Sequence, residues 1–320
     1  MTADDPTRPL RVGLIGLGVI SRFYAAALAE VPGVELAAVC DLRDEALAPY
    51  RDRVPCHTGH RELLAAGGLD AAVVNVPNDA HAEVCGDLVA AGLPVCVEKP
   101  LATRLADGRA LVRAARERGV VLFTAFHRRY NANALELLES VPPGVGIESV
   151  VVRYLEKIEE HAGADAWYLD ADRCGGGCVA DNGPNAFDTV RQFLGPVELA
   201  GAEVVRDAAG TDRQATVTLT AASGAGGRVE LDWSYEGECK DVTLRLTDGS
   251  VHSADMLDGY PEFKQSLWHE YRGIVADFAR AVRAGEDRAE GGLAALELVA
   301  EIYRGERRPA TDPTTTGAAR

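Results

Sequence analysis

From residue 10 the chain alternates short apolar runs with longer stretches in which apolar residues recur at helical spacing. Arg11-Val-Gly-Leu-Ile15 reads as a strand and Phe23 to Val31 as a helix, followed by a strand at Val34 to Cys40. The rhythm continues with a helix at His60 to Ala66, a strand at Asp70 to Val76, a turn at Pro77-Asn-Asp79 and a helix at Ala80 to Ala91. A strand at Leu93 to Val97, a helix at Thr103 to Arg118 and a strand at Val120 to Ala125 complete it. Runs this apolar suit strands buried on both faces, and their alternation with helices predicts a doubly wound parallel α/β sheet. In such sheets ligands sit at the strands' carboxyl ends. Asn75, Pro77, Asn78, Glu98, Lys99 and His127 all fall at or just after those ends and should line one edge.

After residue 130 the period changes. A helix at Ala132 to Glu139 precedes Pro142-Pro-Gly144, and strand-like runs follow at Ser149 to Leu155, Val197 to Val205, Gln214 to Thr220, Arg228 to Tyr235 and Asp241 to Leu246. Polar and apolar residues alternate in Thr216-Val-Thr-Leu-Thr220, as expected for antiparallel strands with one solvated face. Helices at Tyr271 to Ala284 and Gly292 to Tyr303 close the chain. The fold class expected is α/β: a doubly wound parallel domain over residues 1–127, then an α+β domain with a mainly antiparallel open sheet over residues 128–320. Residues 1–9 and 308–320, without apolar period, are expected to be frayed.

Composition narrows the partners. A net charge of −16 over 320 residues argues against nucleic acid or an anionic membrane as partner. No apolar run is long enough for a membrane helix and the first residues are polar, so no signal peptide is expected and the cytoplasm is the expected compartment. Seven cysteines, an odd number, then read as free thiols. Cys56-His57 and Cys174-Gly-Gly-Gly-Cys178 lack a second ligand pair at zinc-site spacing, so no metal is expected.

The candidate chemistry starts at Gly16-Leu-Gly18, between the first strand and the first helix. Two glycines there permit a tight turn and close approach of a pyrophosphate to the helix start, with Val19 and Ile20 beside it. Ser21 stands where the dinucleotide fingerprint has its third glycine. Asp41, 23 residues beyond Gly18, ends the second strand, where a carboxylate accepts from ribose hydroxyls and repels a 2′-phosphate. NAD is therefore expected over NADP; Arg43 keeps NADP open, and Asp41 as a simple helix cap is the competing reading. Lys99 is one of only four lysines among 33 basic side chains, set between Glu98 and Pro100, which suggests a titratable amine is wanted there.

With these residues in view, Gly13-Leu-Ile-Gly-Leu-Gly18, Val76-Pro-Asn-Asp-Ala-His81, Val97-Glu-Lys-Pro-Leu-Ala102, His127-Arg-Arg-Tyr130 and the run Gly175 to Asp188 resemble, in order and spacing, the glucose–fructose oxidoreductase/inositol dehydrogenase (Gfo/Idh/MocA) family. The resemblance implies an NAD(P)-binding Rossmann domain and a second domain that carries substrate and serves oligomerisation, as a homodimer or homotetramer. It implies a small polyol or amino-sugar substrate, Lys99 beside the nicotinamide, and a cis Lys99-Pro100 bond. By the same likeness Gly16, Gly18, Val19, Ile20, Asp41, Arg43, Asn75, Pro77, Asn78, His81, Glu98 and Lys99 are cofactor-binding candidates. Family enzymes carry Asp-x-x-x-His in the glycine-rich segment, whereas here Asp181 is followed by Asn185, two residues that helical spacing puts on one face.

An amide orients a hydroxyl but does not take its proton near neutral pH. Three groups compete to be the base: Lys99, with its pKa lowered by desolvation and neighbouring positive charge; Asp181; and His127, which also reads as an interdomain hinge. Arg129 steadies substrate oxygens or Asp181, or is a plain ion-pair residue, and Trp167 and Tyr168 form a wall under a sugar ring or pack in a core. Lys99, Asp181 and Asn185 are thus the catalytic candidates, and Lys99, His127, Arg129, Tyr168, Asp181 and Asn185 the substrate-binding ones. The expected activity is NAD-dependent oxidation of a secondary hydroxyl of a sugar, amino sugar (including aminoglycosides) or cyclitol. Keto-sugar reduction with NAD(P)H and a non-catalytic NAD(H) sensor are the alternatives.

Overall fold

A computed structural model describes residues 8–162, 166–260 and 264–306, so most of the residues expected to be frayed lie outside the described residues. The first layer runs β1 (Leu10–Ile15), α1 (Ser21–Glu30), β2 (Val34–Cys40), α2 (Asp44–Leu47), β3 (Cys56–His57) and α3 (His60–Ala66). It continues with β4 (Ala71–Val74), α4 (His81–Ala90), β5 (Val95–Glu98), α5 (Leu105–Arg118) and β6 (Leu122–Ala125). The six strands are parallel in the order β3-β2-β1-β4-β5-β6, the Rossmann arrangement. Every residue of β4, β5 and β6 is buried, which explains why those strands read as unbroken apolar runs.

The second layer runs α6 (Ala132–Glu139), β7 (Ile147–Lys157), α7 (Ile158–Ala162), α8 (Ala171–Cys174), α9 (Cys178–Asp181) and α10 (Gly183–Leu194). Then come β8 (Val197–Arg206), β9 (Asp212–Ala221), β10 (Gly226–Asp232), β11 (Ser234–Leu246), β12 (Val251–Asp255), α11 (Leu267–Ala284) and α12 (Ala289–Glu306). Its sheet order is β12-β11-β7-β10-β9-β8, with only β10–β7 parallel, so the expectation of a mainly antiparallel sheet holds. One face packs Val217, Leu219, Val229 and Leu231 against Val179, Phe187 and Val190. At the chemistry-bearing turn, the Lys99-Pro100 bond is cis. All seven cysteines are free thiols.

Four differences from the sequence reading have physical causes. The run expected at 228–235 is two strands, because the fully buried Trp233 stands between β10 and β11. The helical start read around Asp181 and Asn185 runs on, past Gly183-Pro184, as α10 to Leu194; proline in a first helical turn gives up only an N–H that has no partner there anyway. Helix α11 starts at Leu267 rather than Tyr271, which brings Glu270 into it. Finally, the division at 127/128 is not kept by the last helices: α11 buries Leu267, Tyr271, Ile274 and Phe278 with Phe23 and Tyr24 of α1. Phe278 also meets Phe123 of β6 with ring centroids 5.8 Å apart. A helical stripe in sequence says that a face is buried, not which layer covers it.

Candidate active site

A cavity of about 570 Å³ opens between the carboxyl ends of the first sheet and the glycine-rich segment with β7 and β11 of the second layer. At its first end Gly16 follows β1 with φ +88°, and a Cβ there would lie 2.7 Å from the Asn75 carbonyl oxygen. Around Gly18 nothing lies within 4 Å of such a Cβ. The Asp41 carboxylate accepts from Leu17 N–H at 2.7 Å, Arg43 N–H at 2.8 Å and the Arg43 guanidinium at 3.1 Å. Burial works to raise its pKa, and these donors outweigh burial, leaving it below the usual carboxylate range. Both polar atoms of the Asn75 amide are buried with no hydrogen-bond partner among the described residues. An amide with nothing to bond among the described residues and a turn that admits no side chain at Gly16 fit a bound nucleotide. Val19, Ile20, Arg43, Pro77 and Asn78 line the same end, and Asn78 donates to the Cys174 carbonyl at 3.0 Å, tying α8 to the first layer.

His81, expected to touch cofactor, does not line the cavity. It is fully buried, with Nδ1 2.7 Å from the Pro100 carbonyl oxygen and Nε2 3.0 Å from that of Val76. It braces the Glu-Lys-Pro turn from behind.

At the other end Lys99 Nζ pairs with the Asp181 carboxylate and donates to the Asp181 carbonyl at 3.1 Å. This reverses the expected direction of the Lys99 pKa. Burial lowers it, as foreseen, but the adjoining carboxylate prevails and the amine is held above the usual lysine range. Asp181 ends α9 and Asn185 lies in the first turn of α10, and both line the cavity as their spacing suggested. Trp167 and Tyr168 stack with centroids 3.9 Å apart on the cavity wall. Glu98 accepts from Tyr24 Oη at 2.8 Å, and burial raises its pKa.

Both ring nitrogens of His127 are engaged: Nδ1 lies 2.5 Å from Glu270 Oε2 and Nε2 lies 3.1 Å from Asn185 Nδ2. Glu270 is fully buried and also takes Arg128 at 2.8 Å and Asn131 at 2.7 Å. Burial pushes His127 down to about 4, and Glu270, against burial, is drawn down to about 2, chiefly by Arg128. Both shifts describe one state at neutral pH, a neutral imidazole and a charged carboxylate whose counter-charge is Arg128. Arg129 is corrected: it forks onto Asp188 at 3.0 and 2.7 Å, away from the cavity and from Asp181.

The sequence reading missed a second group on the cavity wall. Lys240 of β11 pairs with Glu156 at 2.7 Å and with Glu238, and its ammonium lies 4.7 Å from the Tyr154 ring centroid. Asn182 donates to Glu156 at 2.9 Å. The signal was available, since Lys240 is another of the four lysines. Elsewhere His60, Glu83 and Asp87 bring ligand atoms within 4.8 Å of one another, but Arg61 already bonds both carboxylates at 3.0 and 2.7 Å. Among the described residues no helix is long and apolar enough to cross a membrane.

Against known proteins, residues 10–126 match the oxidoreductase family with the NAD-binding Rossmann fold, and residues 146–252 match the GFO/IDH/MocA C-terminal domain. The chain belongs to the Gfo/Idh/MocA family of oxidoreductases. It is 28% identical to D-xylose 1-dehydrogenase (NADP(+)) 2 of Haloferax volcanii, over 91% of this chain and 95% of that one. It is 29% identical to myo-inositol 2-dehydrogenase of Thermotoga maritima, over 88% of this chain and 91% of the other. In fold it is similar to GenD2 from gentamicin A biosynthesis, solved in complex with NAD, with a TM-score of 0.82, 24% identity and coverage of 94% and 95% of the two chains.

Proposed function

We propose that this sugar- and cyclitol-type oxidoreductase is an NAD-dependent dehydrogenase that oxidises a secondary hydroxyl of a sugar, amino sugar or cyclitol to a ketone. The observation that carries the reading is the pair formed by half-buried Lys99 and buried Asp181 on the wall of a cavity whose other end has the glycine turn, Asp41 and the orphaned Asn75 amide. Gly16, Gly18, Val19, Ile20, Asp41, Arg43, Asn75, Pro77 and Asn78 would hold the dinucleotide, which when bound supplies the hydride acceptor. The charged Asp41, already bound to Arg43, supports NAD over NADP by repelling a 2′-phosphate. The inositol and xylose dehydrogenases above and the gentamicin-pathway neighbour support the substrate class, aminoglycosides included. Assembly into a homodimer or homotetramer through the open face of the second sheet belongs to the same reading.

The chain's own chemistry is a matter of one proton. In oxidation, Lys99–Asp181 must first release a proton to solvent so that the alcohol proton has a place to go. In reduction the resting ammonium is already the donor. The upward shift of Lys99 therefore favours, as a second reading, reduction of a keto-sugar with NAD(P)H. Oxidation should accelerate with rising pH and reduction should slow.

The test incubates the protein with NAD+ and myo-inositol, D-xylose, D-glucose or 2-amino-2-deoxy-D-glucose, and with NADH and keto-sugars, following reduced nicotinamide by absorbance. Lys99→Met should cost on the order of 10²–10⁴-fold in kcat with cofactor affinity unchanged. Activity that survives Lys99→Met transfers the base role to Asp181. Silence across the panel in both directions, with cofactor bound, overturns the reading.

A further inference from the structure

The corner of the cavity where the family pattern has a histidine holds an amide whose orientation is decided from behind. Glu270 is a buried, charged carboxylate, fixed by Arg128 at 2.8 Å and Asn131 at 2.7 Å. A carboxylate accepts and does not donate, so the His127 nitrogen 2.5 Å away, Nδ1, must carry the hydrogen. In a neutral ring Nε2 then has only a lone pair, and the group 3.1 Å from it must donate. In an asparagine only Nδ2 donates. Tyr271 stacks on the imidazole with centroids 5.9 Å apart and holds the ring plane. Asn185 is thereby set with Nδ2 toward His127, and its Oδ1, on a residue that lines the cavity, is buried and meets no donor among the described residues.

We infer that His127 and Glu270 are positioning residues that lock the Asn185 amide, so that this corner is a fixed hydrogen-bond acceptor that selects a substrate group able to donate, a hydroxyl or a protonated amine. The inference rests on the sugar-alcohol reading for its ligand, but not for the lock itself. An unmet buried acceptor is costly, and a donor on the ligand restores the missing bond. The lock also removes His127 from the contest for base, because its lone pair is capped by Asn185, leaving the proton to Lys99–Asp181.

The lock is tested without substrate by nitrogen-15 spectroscopy of the full chain labelled at histidine, with His127→Gln to assign the signal. At pH 7 His127 should show hydrogen on Nδ1 and a bare Nε2. A ring protonated on Nε2 or on both nitrogens overturns the proposal. Asn185→Leu, of nearly the same shape, removes the donor facing Nε2, so His127 should then take up its proton at higher pH than in the unaltered protein. No shift, or a shift downward, means that the amide is turned the other way.

The acceptor role is read on whichever of the four named polyols is oxidised. Asn185→Leu should raise KM about tenfold with a smaller change in kcat. It should also abolish the preference for that polyol over its O-methyl ether at the hydroxyl that meets Asn185. Equal preference in both proteins overturns the acceptor role. If none of the four is oxidised and no keto-sugar is reduced, the substrate reading fails while the spectroscopic result still decides the lock.

Discussion

The two ends of the cavity are built in opposite ways. At the nucleotide end the parts are local: Gly16, Gly18 and the Asp41–Arg43 pair belong to two consecutive strand–turn units, and Asn75 is left with both polar atoms unmet. At the substrate end the charged groups are closed into partnerships between distant segments. Lys99 and Asp181 are 82 residues apart, Glu156 and Lys240 84, and His127 and Glu270 143. One end is preformed and waiting for a ligand. The other is preorganised by its own buried pairs, so it is stiff, and removing Glu270 leaves the Arg128 charge stranded in low dielectric.

That contrast predicts where the chain is fragile. Glu270→Ala leaves the buried Arg128 without its carboxylate, and a broken buried pair of this kind costs about 3–5 kcal/mol. The loss should appear as a lower midpoint in chemical denaturation, and a change under about 1 kcal/mol would show that Arg128 finds another partner. The same end should also set the acid sensitivity of the fold. His127 titrates at about 4 when folded and at 6.5 ordinarily, so the unfolded chain takes up its proton first as pH falls.

Stability should be complete above about 6.5 and decline toward about 4, by on the order of 3 kcal/mol. The lowered pKa of Glu270 extends the decline in the same direction below 4.5, toward about 2. Glu270, Arg128 and Lys99 are the charged groups facing the ring. Denaturation midpoints at several pH values should therefore slope in the parent protein and flatten between 6.5 and 4 in His127→Gln. A parent protein with no slope in that window contradicts the buried neutral imidazole.

The same division explains what the chain revealed before its structure was known. Five of the six strands of the first layer were legible, because each is a short and largely buried apolar run; β3, two half-buried residues, carries no such signal. Lys99 was legible from its place at a strand end, and Asp181 and Asn185 from the family resemblance, with helical spacing putting the two on one face. What was not legible was pairing. Nothing in the local sequence of Arg129 tells Asp188 from Asp181 as its partner, and nothing around His81 shows that both its nitrogens are spent on backbone carbonyls. Glu270 was missed because the helix was begun one residue too late to include it. Glu156 and Glu238 sit in strands where acidic residues ordinarily face water.

At the nucleotide end the expected effects fall on binding instead of folding. Gly16→Ala puts a methyl group 2.7 Å from the Asn75 carbonyl at a positive φ, so the turn must shift against β4. Cofactor affinity should fall by more than tenfold, read by fluorescence titration with NADH, with little change in the acid sensitivity above. Unaltered affinity would mean that the turn does not touch the dinucleotide.

The smallest expected effect is the most selective. Asp41 contributes one negative charge, stabilised by Leu17 N–H and by Arg43 through both backbone and guanidinium. In Asp41→Asn the shape and the capacity to accept from Leu17 N–H persist. The charge that repels a 2′-phosphate is gone, and with it the ion pair between position 41 and the Arg43 guanidinium. The ratio of NADPH to NADH affinity should then rise about tenfold, roughly one charge-assisted contact in energy, with most of the change in the NADPH term. A drop in both affinities with no change in their ratio would instead assign Asp41 to holding the β2 turn together, the helix-cap role that competes with ribose recognition in the sequence.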